Sequence, residues 1–144
     1  ERRFAPCLYT KARMLAEVER VNHDEGAEHR NRMGVLLGNE TTEEEGTKTL
    51  THTLWSLLNL LPAGDAQRPH RHNSVALDLC VNAVSGTCYT LMGPELDEDG
   101  WVKDPQRCNW ERGGVFVTPP GWWHSHHNEG TAPAPPVKKA EGSA

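Results

Sequence analysis

Between Thr10 and Val21 the apolar residues Ala12, Met14, Leu15, Val18 and Val21 recur at near-helical spacing, with Lys11, Arg13, Glu17, Glu19 and Arg20 on the other face. This pattern predicts an amphipathic helix. From Asn22 to Arg32 the chain is almost wholly polar, residues 33–37 read as a short early strand, and TTEEEGT at 41–47 reads as an exposed acidic loop. After Gly46 the texture changes to short β-rich runs at 50–61, 74–81, 87–92, 101–103, 106–110 and 115–118, punctuated by Gly, Pro and Asn. Closely spaced strands of this kind predict a sandwich or barrel, an all-β body behind one N-terminal helix. Pro119, Pro120 and Gly121 make a tight turn that ends one strand and aims the next. The insertion at 94–100, with Glu95, Asp97, Glu98 and Asp99, reads as a solvated hairpin tip, its ligand spacing too irregular for a calcium loop. The Ala- and Pro-rich tail at 131–144 reads as an extended linker or terminus without chemistry.

Composition narrows the functional classes. A chain of 144 residues fits one domain with one site. Fifteen Lys and Arg against twenty Asp and Glu give a formal charge of −5, with no basic stripe to neutralise a phosphate backbone, so nucleic acid is not an expected partner. No apolar run reaches the roughly 20 residues of a spanning helix, and residues 1–20 lack the layout of a signal peptide. No membrane span is expected, and the compartment stays open. Cys7, Cys80, Cys88 and Cys108 form no C-x-x-C pair and build no metal site among themselves. Cys80 and Cys88 flank an expected hairpin turn near Val84, where a cross-strand disulfide competes with the favoured reading of free buried thiols.

The chemistry is concentrated in histidine. Five of the eight histidines fall in two clusters, His70 and His72, then His124, His126 and His127. Residues two apart on a strand share a face, so H-R-H at 70–72 presents two imidazoles to one side and Arg71 to the other. Two such rings are adjacent corners of a coordination sphere, and a third must come from another strand, within PPGWWHSHHN. His126 lies on the same side as His124, His127 on the opposite one.

Residues 64–86 resemble the first cupin motif: Gly64, five residues, His70, Arg71, His72, and a later glycine at Gly86. Residues 113–128 resemble the second at every fixed position: Gly113, five residues, Pro119, Pro120, Gly121, two residues, His124, three residues, Asn128. LPAGDAQRPHRHNSVAL and FVTPPGWWHSHHNEG are most similar to the gentisate and hydroxynaphthoate ring-cleaving dioxygenases. The resemblance covers residues 48–130 and implies a cupin double-stranded β-helix barrel there, after a helix and acidic loop at 1–47 and before the tail at 131–144. It implies that His70, His72 and His124 hold one divalent transition metal, Fe(II) being the expected ion and Mn, Ni, Cu, Co or Zn compatible. The glutamate that many cupins carry four or five residues past H-x-H is replaced by Ala76 and Leu77, as in the gentisate-like branch.

Two departures matter. After the A-L pair the ring-cleaving enzymes usually carry an arginine for the substrate's carboxylate, and this chain has Asp78, which disfavours anionic substrates if it faces the cavity. Members of that branch also commonly carry two cupin modules, whereas this chain runs into TAPAPPVKK, so a partner copy, the early strand or further residues are expected to complete the barrel. Trp122 shares the face of His124 by alternation and is the expected pocket aromatic, ahead of Trp123, Trp55 and Trp110. The expected function is a dioxygenase-like cupin acting on a small hydroxylated compound, aromatic ones included, with His126 as a proton acceptor beside the metal. The alternative is a non-catalytic cupin serving as a binding or scaffold subunit. Homo-oligomerisation, or membership of a larger complex, is expected in either case.

Overall fold

The computed structural model describes residues 4–24 and 33–131. The expected polar run and tail fall in part, at 25–32 and 132–144, outside the described residues. The described residues divide into two compact units, one ending at Leu60 and one beginning at Leu61. The strand ending at Leu60 pairs with the early strand.

In the first unit Thr10 caps helix α1 (Lys11–Asn22), its hydroxyl accepting the Arg13 N–H at 3.3 Å. Val18 is buried on the apolar stripe of that helix, which packs on strand β1 (Met33–Leu36). Strand β1 pairs antiparallel with β2 (Leu57–Leu60), placing Met33 opposite Leu60. The acidic stretch expected as a loop instead opens as a short helix, α2 (Glu40–Glu44). Asn39 caps it by accepting the Thr41 N–H at 3.0 Å, and Glu40 and Glu43 stand in the first turn, where the helix dipole favours negative charge. The run at 50–61 is strand only over Leu57–Leu60. The Thr51 hydroxyl accepts the Thr53 and Leu54 N–H groups while Leu54 O accepts from Leu50 and Thr51, which ties 50–54 into a turn.

The second unit is almost entirely strand: β3 (Ala76–Leu79), β4 (Cys88–Gly93), β5 (Gln106–Asn109), β6 (Val115–Thr118) and β7 (Trp123–Asn128). They form a two-stranded sheet, β3 with β6, and a three-stranded sheet in the order β5-β4-β7, all antiparallel. Residues 64–72 run along the remaining edge of β7 without becoming a regular strand. Gly64 N–H donates to Asn128 O at 2.8 Å, Gln67 N–H to His126 O at 2.8 Å, and His70 and His124 exchange bonds of 3.0 and 2.9 Å. Side chains from the two sheets meet in the core, where Thr118 contacts Met92 and Trp110 stacks on Phe116 at 6.3 Å. The architecture is thus mostly β, as expected, while no closed barrel is found among the described residues.

Two local expectations are corrected. Strands β3 and β4 belong to different sheets, so there is no hairpin about Val84, and Cys80 and Cys88 are buried free thiols. The expected strand at 101–103 is reduced to a bridge, Val102 opposite Leu96, at the tip of the β4–β5 hairpin. Asp97 organises that tip by accepting the Asp99 and Trp101 N–H groups at 3.0 and 2.8 Å. Gly121, at φ 75°, makes the left-handed turn into β7 that a side chain would strain, and its N–H donates to His72 O at 2.9 Å. Among the described residues no helix is long and apolar enough to cross a membrane.

The last position of the second motif has a structural role. Asn128 donates through its amide to Leu61 O and accepts the Gly130 N–H, each at 3.0 Å, clamping the start of the unit to the end of β7. Asn128→Ala is expected to lower stability by about 1–3 kcal/mol, since both groups lose their partner. Thermal unfolding followed by circular dichroism checks this, with an unchanged midpoint as the contrary result.

Candidate metal centre

Strand β7 builds the site. Its register with β4, from Cys88 opposite Asn128 to Gly93 opposite Trp123, fixes which of its residues face inwards. His124 and His126 are buried on the inner face. His127 turns to the outer face, stacked on Tyr89 at 4.8 Å and 5.7 Å from Trp101, with the Arg107 guanidinium 3.4 Å from the Tyr89 ring centre. Burial holds the His127 imidazole below its usual pKa, Glu129 pulling the other way. The expected division of the three histidines between two faces is observed.

His70 reaches the same inner face through its backbone pair with His124, which brings their ring centres to 4.1 Å. His72 follows at 4.9 Å from His124. One ligand atom from each of His70, His72 and His124 lies within 4.8 Å of the others, a span that one ion can draw together. Hydrogen bonds set the tautomers of two of them. His72 Nδ1 lies 2.8 Å from Ser74 O and His124 Nδ1 3.2 Å from Trp122 O. A carbonyl only accepts, so each neutral ring carries its hydrogen on Nδ1 and leaves the Nε2 lone pair for a ligand. Three imidazoles so presented fit a divalent transition ion, with no carboxylate in the cluster.

His126 sits beside this cluster, its ring 5.7 Å from that of His124 and 6.3 Å from that of His70. Its Nδ1 lies 2.7 Å from the hydroxyl of buried Thr90, which receives the Trp110 indole N–H at 2.8 Å. Because the indole can only donate, the Thr90 oxygen accepts from it and keeps a second lone pair and its proton for the bond with His126 Nδ1. Trp110 and Phe116 stand 5.6 and 6.4 Å from the His126 ring, as the aromatic wall nearest the cluster. Sequence reasoning ranked Trp110 behind Trp122 and passed over Thr90 and Phe116. The cross-strand register, Thr90 opposite both Cys108 and His126, brings Thr90 and Trp110 to that ring, while Phe116 reaches it from the other sheet. Trp122 precedes β7, its N–H bonded to Pro119 O at 3.2 Å. Trp123 instead lies under the Arg71 guanidinium at 4.7 Å.

Asp78 is on the inner face of β3, opposite Phe116 in register and between exposed Leu77 and Leu79. Burial raises its carboxyl above the usual carboxylate range, and the nearby His72 pulls it down by a smaller amount. Its register opposite Phe116 sets it on the half-buried face of β3.

The chain is 29% identical over 79 residues to the 5-aminosalicylate 1,2-dioxygenase of a Comamonas species, covering 55% of this chain and 18% of that protein. It is 28% identical over 89 residues to gentisate 1,2 dioxygenase 1 of Aquipseudomonas alcaligenes, covering 62% of this chain and 22% of that protein. The similarity is distant, and the aligned part spans about a fifth of either relative. No family model matches the chain, and no solved structure does.

His72→Ala is expected to remove most bound metal and leave the β-sheet signal intact, because the packed strands rather than an ion supply the core. Metal analysis and circular dichroism of the same sample check this. Retention of full metal content would detach His72 from the site, and unfolding would make the ion structural.

Proposed function

We propose that this chain is a cupin-type, metal-dependent dioxygenase that acts on a small hydroxylated compound, aromatic ones included, within a cupin β-barrel. The observation that carries this reading is the convergence of His70, His72 and His124 at one point of the β-rich unit. Distant similarity to two dioxygenases supports it. Fe(II) is the ion this reading assigns, and Mn, Ni, Cu, Co or Zn accept the same three nitrogens. His70, His72 and His124 would hold such an ion, which would supply positive charge to stabilise a deprotonated substrate hydroxyl and activate it towards dioxygen.

The remaining work falls to the protein. Trp110 and Phe116 offer flat apolar surface beside His126, suited to a planar ring. His126, held at Nδ1 by the Thr90 hydroxyl, is the proton acceptor beside the metal in this reading. Trp122 and Asp78 are the other pocket residues of this reading. Asp78 selects against substrate carboxylates, since two anions would face each other out of water with no arginine between them, and favours neutral hydroxylated compounds.

A second reading, a non-catalytic binding or scaffold cupin, is favoured by the same Asp78. Oxygen uptake by the Fe(II)-loaded chain, screened against neutral and anionic hydroxylated aromatics, separates the two: uptake with neutral compounds supports catalysis, and none with metal bound supports the scaffold. Asp78→Arg is expected to tighten binding of gentisate or salicylate roughly tenfold or more, the equivalent of one charge-assisted hydrogen bond. Calorimetric titration measures it, and equal affinities would place Asp78 outside the pocket.

A further inference from the structure

The sheet that presents Asp78 inwards has an outer face for which the metal site has no use. Alternation along β3 turns Ala76 and Asp78 in and leaves Leu77 and Leu79 71% and 62% exposed. On β6 it leaves Val115 and Val117 60% and 51% exposed. The register sets Leu77 opposite Val117 and Leu79 opposite Val115, so the four form one block. Cys80 is buried and bonded through its N–H to Gly114 O, so the alternation continues past the strand end, and exposed Val75 and Val81 lengthen the β3 column at either end. The six side chains carry no polar group and together expose roughly 500–600 Å², about the largest apolar patch that a monomer displays.

We propose that this face is the interface of a two-fold homodimer, a second copy of the chain being its occupant. Two such faces bury roughly 1,000–1,200 Å² before their polar rims are counted, which reaches the low end of specific interfaces. Sheet faces pack about 10 Å apart with their strands within about 30°. A two-fold axis lying between the faces, close to the strand direction, gives that arrangement and lays the β3 column of each copy over the β6 column of the other. Leu77 then meets the partner's Val117, and Leu79 the partner's Val115, so a large side chain opposes a small one and the layer has even thickness. An axis across the strands would oppose leucine to leucine and valine to valine, leaving the layer thick on one side and thin on the other. Nothing charged lies in the face, so the −5 charge of each copy is not desolvated by closing it.

Sedimentation velocity on the full chain at high micromolar concentration tests this. The expected result is a dimer that becomes monomeric with Leu77→Lys and with Val117→Glu, each retaining the wild-type circular dichroism spectrum. If one variant misfolds, the other carries the test. An equimolar mixture of the two should associate again, because the lysine of one copy meets the glutamate of the other. A monomeric wild type, or a dimer that survives both substitutions, overturns the interface, and a mixture that stays monomeric overturns the β3-over-β6 pairing. Metal content is measured in parallel. A metal-free dimer would count against the proposed metal site and leave this inference standing.

Discussion

The pair of backbone hydrogen bonds exchanged by His70 and His124 is the constraint on which the site depends. It fixes an irregular segment, 64–72, against a regular strand at the residue where two imidazoles must be neighbours. Strand side chains alternate, so a slip of one residue in β7 would carry His124 to the outer face and His127 inwards, dispersing the cluster. The six-residue register of β7 on β4 resists that slip from one edge. Asn128 resists it at the far end, by holding Leu61 O and the Gly130 N–H.

The same alternation divides the work of each strand between its faces. Strand β7 turns His124 and His126 towards the cluster and uses His127 outside, in a stack with Tyr89 and Trp101 between the cations of Arg107 and Arg68. The opposing sheet turns Asp78 and Phe116 inwards and an aliphatic face outwards. The two faces of β3 thus differ in chemistry, one carrying a carboxyl and the other only aliphatic side chains. Two tautomers follow from the same geometry, since the carbonyls of Ser74 and Trp122 only accept and so place the hydrogen of His72 and of His124 on Nδ1.

Legibility in the sequence followed the range of the interaction. The helix after Thr10 was readable because its cap and its stripe are local, and the strand at 115–118 because its apolar run is bounded by glycine and proline. H-R-H and the spacing from Gly113 to Asn128 identified the three converging histidines. Local polar competition misled the reading at 41–47 and 50–56, where Asn39 and Thr51 draw backbone N–H groups into a helix and a turn that hydropathy does not record. The hairpin about Val84 failed for the opposite reason. Strand β3 finds its partner in β6, nearly forty residues on, and no local signal marks such a pairing. Thr90 and Trp110 stayed hidden on a similar account, being near His126 only through the pairing of β4 with β7, some 36 residues on.

X-ray absorption spectroscopy of the Fe(II)-loaded chain tests the central claim most directly. The account predicts three imidazole ligands with metal–nitrogen distances of about 2.0–2.2 Å and no sulfur in the first coordination sphere, a pattern reduced to two imidazoles in a His124→Ala sample. A sphere dominated by carboxylate oxygen or cysteine sulfur, or three imidazoles unchanged by that substitution, would contradict it.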